Sequence, residues 1–296
     1  MTLQPSPMRG ALFSLAAFSL YSLNDITIKF LGPSYSPVQI LFFSTMAGFP
    51  LVVAYMMAER QGGSLRPVMP KWTAVRMAIA VMNGLLVSYT FAHLPLSQSY
   101  AIFFTMPLMI CLLAVPMLGE RIDLARGLAV LTGLAGVLMV LRPGQEPLQP
   151  AHFTAIAGAM FGAMYYVILR KTGGVERMAV MMLYPMLAQV SVAAALLPFV
   201  YQPMPAAHLG LTAAMAVEGF AGSLLVVYAY RYANAVAVAP MQYVQIIVAT
   251  LFGVLYFGEK MDLPTIAGIS TIIAAGLFIM LRSNRNRAPA TLAVAE

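Results

Sequence analysis

The chain is 296 residues long, 61% hydrophobic and only 9% charged, with a mean hydropathy of +0.83. Soluble domains carry about 25% charged residues, so a water-soluble fold is excluded and lipid is the solvent for most of this sequence. The net charge of +7 and pI near 9.6 read as basic loops held on one membrane face, not as a nucleic-acid footprint.

About 20 apolar residues cross a bilayer as a helix. Ten such segments follow one another, at roughly 10–30, 37–57, 72–92, 98–118, 124–141, 152–170, 178–200, 208–230, 236–257 and 264–281. The breaks carry turn chemistry: GPSYSP (32–37), RQGGSLRP (60–67), HLPL (93–96), RPGQEPLQP (142–150), KTGG (171–174) and YQPMP (201–205). The expected fold is therefore all-α and integral to the membrane, with ten transmembrane helices.

The first segment, GALFSLAAFSLYSLNDITIKFLG, begins like a secretory signal behind Arg9. It continues past Asn24–Asp25 into Ile26, Ile28, Phe30 and Leu31, so it is expected to stay as a span. Asp25 and Lys29 lie four residues apart inside it, a spacing that places two side chains on one helix face. A charge near the centre of a span costs roughly 2.5–3.5 kcal/mol on insertion scales, so intramembrane charges face a polar cavity or a partner. The two residues are expected to line a transport path, with a structural ion pair as the plain alternative. Lys29, near a helix end, can also snorkel to the interface, which leaves Asp25 as the better coupling group.

Further along, Asn83 and Tyr89 join a loose set of polar and aromatic residues that includes Tyr21, Asn24, Gln98, Tyr100, Tyr165, Tyr166, Tyr184, Gln189 and Tyr228. Together they suit a flat, polar-edged substrate. Glu218 falls near the middle of the eighth span among small residues, in AMAVEGFAGS, and needs a cation, a proton or water there. In AVAPMQYVQI, Pro240 interrupts the start of the ninth span. Pro240 thereby frees backbone groups that only protein or a wet cavity can satisfy. Gln242 and Tyr243 follow it; they point different ways on a helix, and Tyr243 is the favoured substrate contact. The 23 methionines supply adaptable packing. Cys111 stands alone, and His93, His152 and His208 are far apart, so no cofactor or metal site is expected.

Lysine and arginine set the orientation. With the N-terminus inside, 14 fall on the cytoplasmic side and 3 (Lys29, Arg142, Lys260) on the other. This asymmetry supports cytoplasmic N- and C-termini and the count of ten.

The sequence also repeats. Tyr89 aligns with Tyr228, Phe91 with Tyr230, Gly119–Glu120 with Gly258–Glu259, and Asp123 with Asp262, all at an offset of 139. Each following helix ends in Leu-Arg, at Leu141–Arg142 and Leu281–Arg282. Glu120 and Glu259 read as structural helix-start residues, because carboxylates favour helix N-termini. The halves are expected at 1–145 and 146–296, with five spans each. Five is odd, so the second half enters the membrane inverted, an arrangement found in carriers with a midplane site.

The doubled layout and the GERID (119–123) and GEKMD (258–262) segments resemble the drug/metabolite transporter superfamily, EamA branch. NDITIKFLG (24–32), GFAGSLLVVYAYRYANAVAVAPMQYVQI (219–246) and FGE (257–259) are similar to a branch with bacterial S-adenosylmethionine and riboflavin uptake transporters. The resemblance implies carriage of a small organic metabolite across a bacterial inner membrane without ATP hydrolysis, in either direction. Riboflavin uptake is the favoured expectation, with S-adenosylmethionine uptake and amino acid or drug export as alternatives. The expected partners are a small-molecule substrate and the bilayer, with a homodimer left open. A membrane enzyme would need a nucleophile–base set or a metal cluster, and no HExxH, GxSxG or Cys-His arrangement is present. A channel would call for rings of charge in an oligomer.

Overall fold

The computed structural model describes residues 7–58, 64–118, 124–141, 148–172, 175–232, 239–260 and 262–285. The helices are α1 (Pro7–Leu31), α2 (Pro37–Ala58), α3 (Pro70–His93), α4 (Leu96–Phe103), α5 (Met106–Leu118), α6 (Leu124–Leu141), α7 (Pro150–Thr172), α8 (Met178–Val200) and α9 (Ala206–Tyr232). A 3-10 turn (Ala239–Tyr243), α10 (Val244–Leu255) and α11 (Leu263–Arg285) complete it. Four of these helices open on proline, whose missing N–H costs nothing in the first turn. Asp262 caps α11 by accepting the Thr265 amide at 3.1 Å.

α1, α2, α3, α7, α8 and α9 are long and apolar enough to cross a membrane. Four further apolar helical stretches are shorter. The expected fourth span is broken. α4 stops at Phe103 and α5 begins at Met106, because Pro107 has no amide to offer the Phe103 carbonyl and its ring would crowd that group. Thr105 covers the gap, its hydroxyl donating to the Ile102 carbonyl at 2.6 Å. The expected ninth span also starts irregularly, as the 3-10 turn that holds Pro240. At the offset of 139, Phe104 in the first break corresponds to Tyr243 at the end of the turn, and their rings meet at 5.1 Å.

The halves interleave. α1 packs on α9, α3 on α7, α2 on α8 and on α9, α3 on α8, and α6 on α11. Exchanging α1, α2, α3 and α6 for α7, α8, α9 and α11 leaves this pattern unchanged. α1 and α9 run antiparallel: Phe13 stacks on Tyr232 at 5.5 Å, Tyr21 meets Ser223 at 3.2 Å, and Asn24 donates to the Met215 carbonyl at 2.8 Å. α3 and α7 do likewise, through Thr90–Thr154 at 2.9 Å and Arg76 over the Tyr165 ring at 5.9 Å. α6 and α11 cross on backbone: a Cβ at Gly268 would lie 2.6 Å from the Gly136 carbonyl, and one at Gly136 would lie 2.9 Å from that of Gly268. Small residues at such a crossing let membrane helices approach closely. The main core draws on both halves, with Ile40, Phe91 and Val137 beside Met215, Ile246 and Ile272.

Candidate functional site

A cavity of about 370 Å³ lies between the halves. That size is in the range of small-molecule sites. α1 supplies Asn24 and Asp25, α2 Ser44 and Thr45, α3 Asn83 and Ser88, α8 Gln189, and α9 Ser223. Met182, Met186, Met215 and Phe220 form much of its apolar wall. Asp25 is the one ionisable side chain among the described lining residues.

Asp25 is held from outside the cavity. Tyr100 of α4 donates its hydroxyl to Asp25 Oδ2 at 2.5 Å. Ser22, one turn earlier in α1, lies 3.4 Å from the Tyr100 hydroxyl and donates to the Gln245 carbonyl at 2.9 Å. The short helix α4 therefore aims a tyrosine at the carboxylate, and α1 reaches across to α10. Asn24 spends its amide N–H on α9, at the Met215 carbonyl. Asn83 leaves its carbonyl oxygen buried without a donor, and Gln189 donates to the Ala80 carbonyl at 3.1 Å.

Asp25 and Lys29 do not pair. Lys29 turns away from the cavity, donating to the Leu94 carbonyl at 2.7 Å and to Glu259 at 2.8 Å, beside the Phe257 ring. The i, i+4 spacing brings the two near each other, but a free helix end and a second acid in the other half offer Lys29 a better partner. Glu259 likewise does more than open its own following helix. Both its oxygens accept the Leu96 amide, at 3.0 and 2.9 Å, at the first residue of α4. It thus caps a helix of the opposite repeat while Asp262 caps α11. Gly258, at φ +66°, makes the turn that presents it. Glu120 and Asp123, the matching acids of the first repeat, lie outside the described residues.

The remaining expected contacts are scattered. Glu218 shares α9 with the cavity-lining Met215 and Gly219 but does not line the cavity, and its Oε2 is buried with no hydrogen-bond partner. Tyr243 packs on Phe104 and directs its hydroxyl at α11, 2.5 Å from where a Cβ on Gly276 would sit. Gln242 is half-buried in the turn, away from the cavity lining. Tyr89 stacks on His93 at 4.0 Å, also away from it. None of these tyrosines lines the cavity, and Phe220 is the one aromatic among its described lining residues. Arg76, which the sequence marks only as one basic residue among those of a cytoplasmic end, is buried.

Residues 8–142 and 149–281 each match the model of the EamA-like transporter family. The chain belongs to that family. Its members and named relatives are transporters, not enzymes, and this EamA protein is a multi-pass membrane protein built on two repeats. It is 25% identical to an S-adenosylmethionine uptake transporter of Rickettsia prowazekii, over 94% of this chain and 95% of the relative. A pseudopaline exporter of Pseudomonas aeruginosa is 24% identical over 90% and 94%. A riboflavin transporter of Vibrio cholerae is 25% identical over 63% and 64%. A solved crystal structure shares the fold, with a TM-score of 0.64 at 19% identity, covering 96% of this chain and all of that one.

Proposed function

We propose that this EamA protein is a secondary carrier that takes up a small organic cation of the S-adenosylmethionine type across the bacterial inner membrane by alternating access. The observation that carries the reading is Asp25, the one charged side chain among the described residues of the cavity wall. A single buried carboxylate there favours a cationic centre such as a sulfonium or ammonium. The methionine-rich wall adapts to an irregular ligand. The uptake transporters of Rickettsia, similar over nearly the whole chain, support the same choice.

Riboflavin, expected from aromatic and amide content, keeps the support of the Asn24, Asn83 and Gln189 amides and of the Vibrio relative. It loses the tyrosines, none of which is among the described lining residues. On this reading the chain makes ten crossings in two oppositely inserted repeats, 1–145 and 146–296, with both termini cytoplasmic. Glu218 carries the coupling proton, which leaves Asp25 to the substrate.

Growth rescue of S-adenosylmethionine and riboflavin auxotrophs separates the two substrates. The expected result is rescue of the first, lost in Asp25→Asn, with the second unaffected by the protein. Rescue of the riboflavin auxotroph alone would overturn the substrate assignment.

A further inference from the structure

Arg76 lies in α3, one turn before Ala80, with 1% of its surface exposed. Nη2 donates to the Met181 carbonyl at 3.0 Å, while Nε and Nη1 are buried without an acceptor. The Tyr165 ring lies 5.9 Å away. Glu176, the buried acid nearest in sequence to Met181, does not serve it: Glu176 accepts the Met69 amide at 2.6 Å, and its other oxygen is unpartnered too. A guanidinium has five donors and no deprotonated escape, and burying it half-satisfied is costly. Intramembrane charges of this kind mark pathways.

Its place gives the charge a use. Arg76, Ala80, Asn83 and Gly84, and Val87 follow one another along one face of α3, and the last three positions line the cavity. Gln189 lines the cavity beside Gly84 and donates to the Ala80 carbonyl, one turn beyond Arg76 along α3. Met182, next to the Met181 that takes Nη2, also lines it. Arg76 thus sits at the seam of α3 with α7 and α8, next to the cavity-lining Met182, towards the end rich in arginine and lysine.

We propose that Arg76 is an anion subsite of the transport path, taking the substrate's carboxylate when the cavity opens towards that end. The assignment deepens the reading of the substrate as an amino-acid-bearing cation and rests on it. Asp25 holds the positive centre in the cavity. Arg76 receives the carboxylate through its two free nitrogens, which draws the ligand towards the basic side.

The test is exchange in proteoliposomes of S-adenosylmethionine and of its decarboxylated analogue, for wild type, Arg76→Gln and Arg76→Lys. Wild type is expected to prefer the carboxylated compound. Arg76→Gln lowers that preference by about ten- to hundredfold, the size of one charged hydrogen bond, by slowing the carboxylated compound alone. Arg76→Lys, which keeps the charge, restores some of it. An equal loss for both compounds overturns the proposal and leaves Arg76 as a strut. If wild type exchanges neither compound, the substrate reading itself has failed, and a second arm still decides the arginine. In a Cys111→Ala background, Arg76→Cys should react with a water-soluble thiol reagent applied from the basic side. Failure to react, in protein that remains monodisperse, shows that position 76 never meets the path and rejects the subsite.

Discussion

Asp25 and Glu218 are both acids at membrane depth, but the structure gives them different surroundings. Asp25 faces the cavity with Tyr100 on one oxygen, whereas Glu218 sits off the wall with a bare oxygen. On the proposed reading, Asp25 contacts the substrate and Glu218 serves the coupling. Glu218→Gln is expected to abolish accumulation driven by an imposed proton gradient while preserving gradient-free exchange. Gradient-driven accumulation at the wild-type level in that variant would remove Glu218 from the coupling. Both acids are legible in the sequence because a carboxylate inside an apolar run is conspicuous. The partner of Asp25 is not: Tyr100 reaches it from another helix, across a separation that no local spacing encodes.

At the scale of elements, α4 is the short helix on which the site depends. Its start is fixed by Glu259 from the second repeat, Glu259 is fixed by Lys29 from α1, and its tyrosine reaches back to α1 at Asp25. A Cβ at Gly253 would lie 2.5 Å from the Glu259 carboxylate, so the acid folds against bare backbone. In detergent, a thermal-unfolding cycle with Lys29→Met and Glu259→Gln should show a coupling of about 0.5–3 kcal/mol, as for residues in one contact network. Additive losses would mean that the pair is incidental. The α6–α11 crossing gives a second prediction. Gly268→Val must push the α6 and α11 backbones apart and should cost about 1–3 kcal/mol, while Gly127→Ala in α6, with nothing within 4 Å, should be silent. Equal stability of these variants would refute close packing there. Hydropathy locates these helices well, since proline and loop chemistry end them. The breaks in the fourth and ninth spans are harder to see. Pro107 and Pro240 signal an interruption, but whether a helix bends or stops depends on the contacts at the break, such as the Thr105 hydroxyl on the Ile102 carbonyl, which pattern alone does not single out.

Over the whole molecule, the repeat at an offset of 139 reappears as a packing pattern that survives exchange of the halves. Polar contacts join the two halves at both ends of the bundle. At one end Gln39 and Gln202 bond reciprocally, at 2.7 and 2.9 Å, and Tyr35 meets His208 at 2.7 Å. At the other, Glu176 takes the Met69 amide and Arg177 donates to the Ser64 carbonyl at 3.2 Å. Two sets of polar closures joining the same two halves suit a carrier that opens one end at a time. The repeat is visible in the sequence because identical motifs recur in it, whereas the cavity's chemistry emerges only when five helices bring their side chains together. Counterflow in proteoliposomes preloaded with unlabelled S-adenosylmethionine is the decisive assay. Labelled substrate should accumulate transiently and saturably, and Asp25→Asn should reduce the rate by about tenfold or more. Entry that neither saturates nor responds to the preload, or an undiminished rate in Asp25→Asn, would contradict a two-state carrier built around that carboxylate.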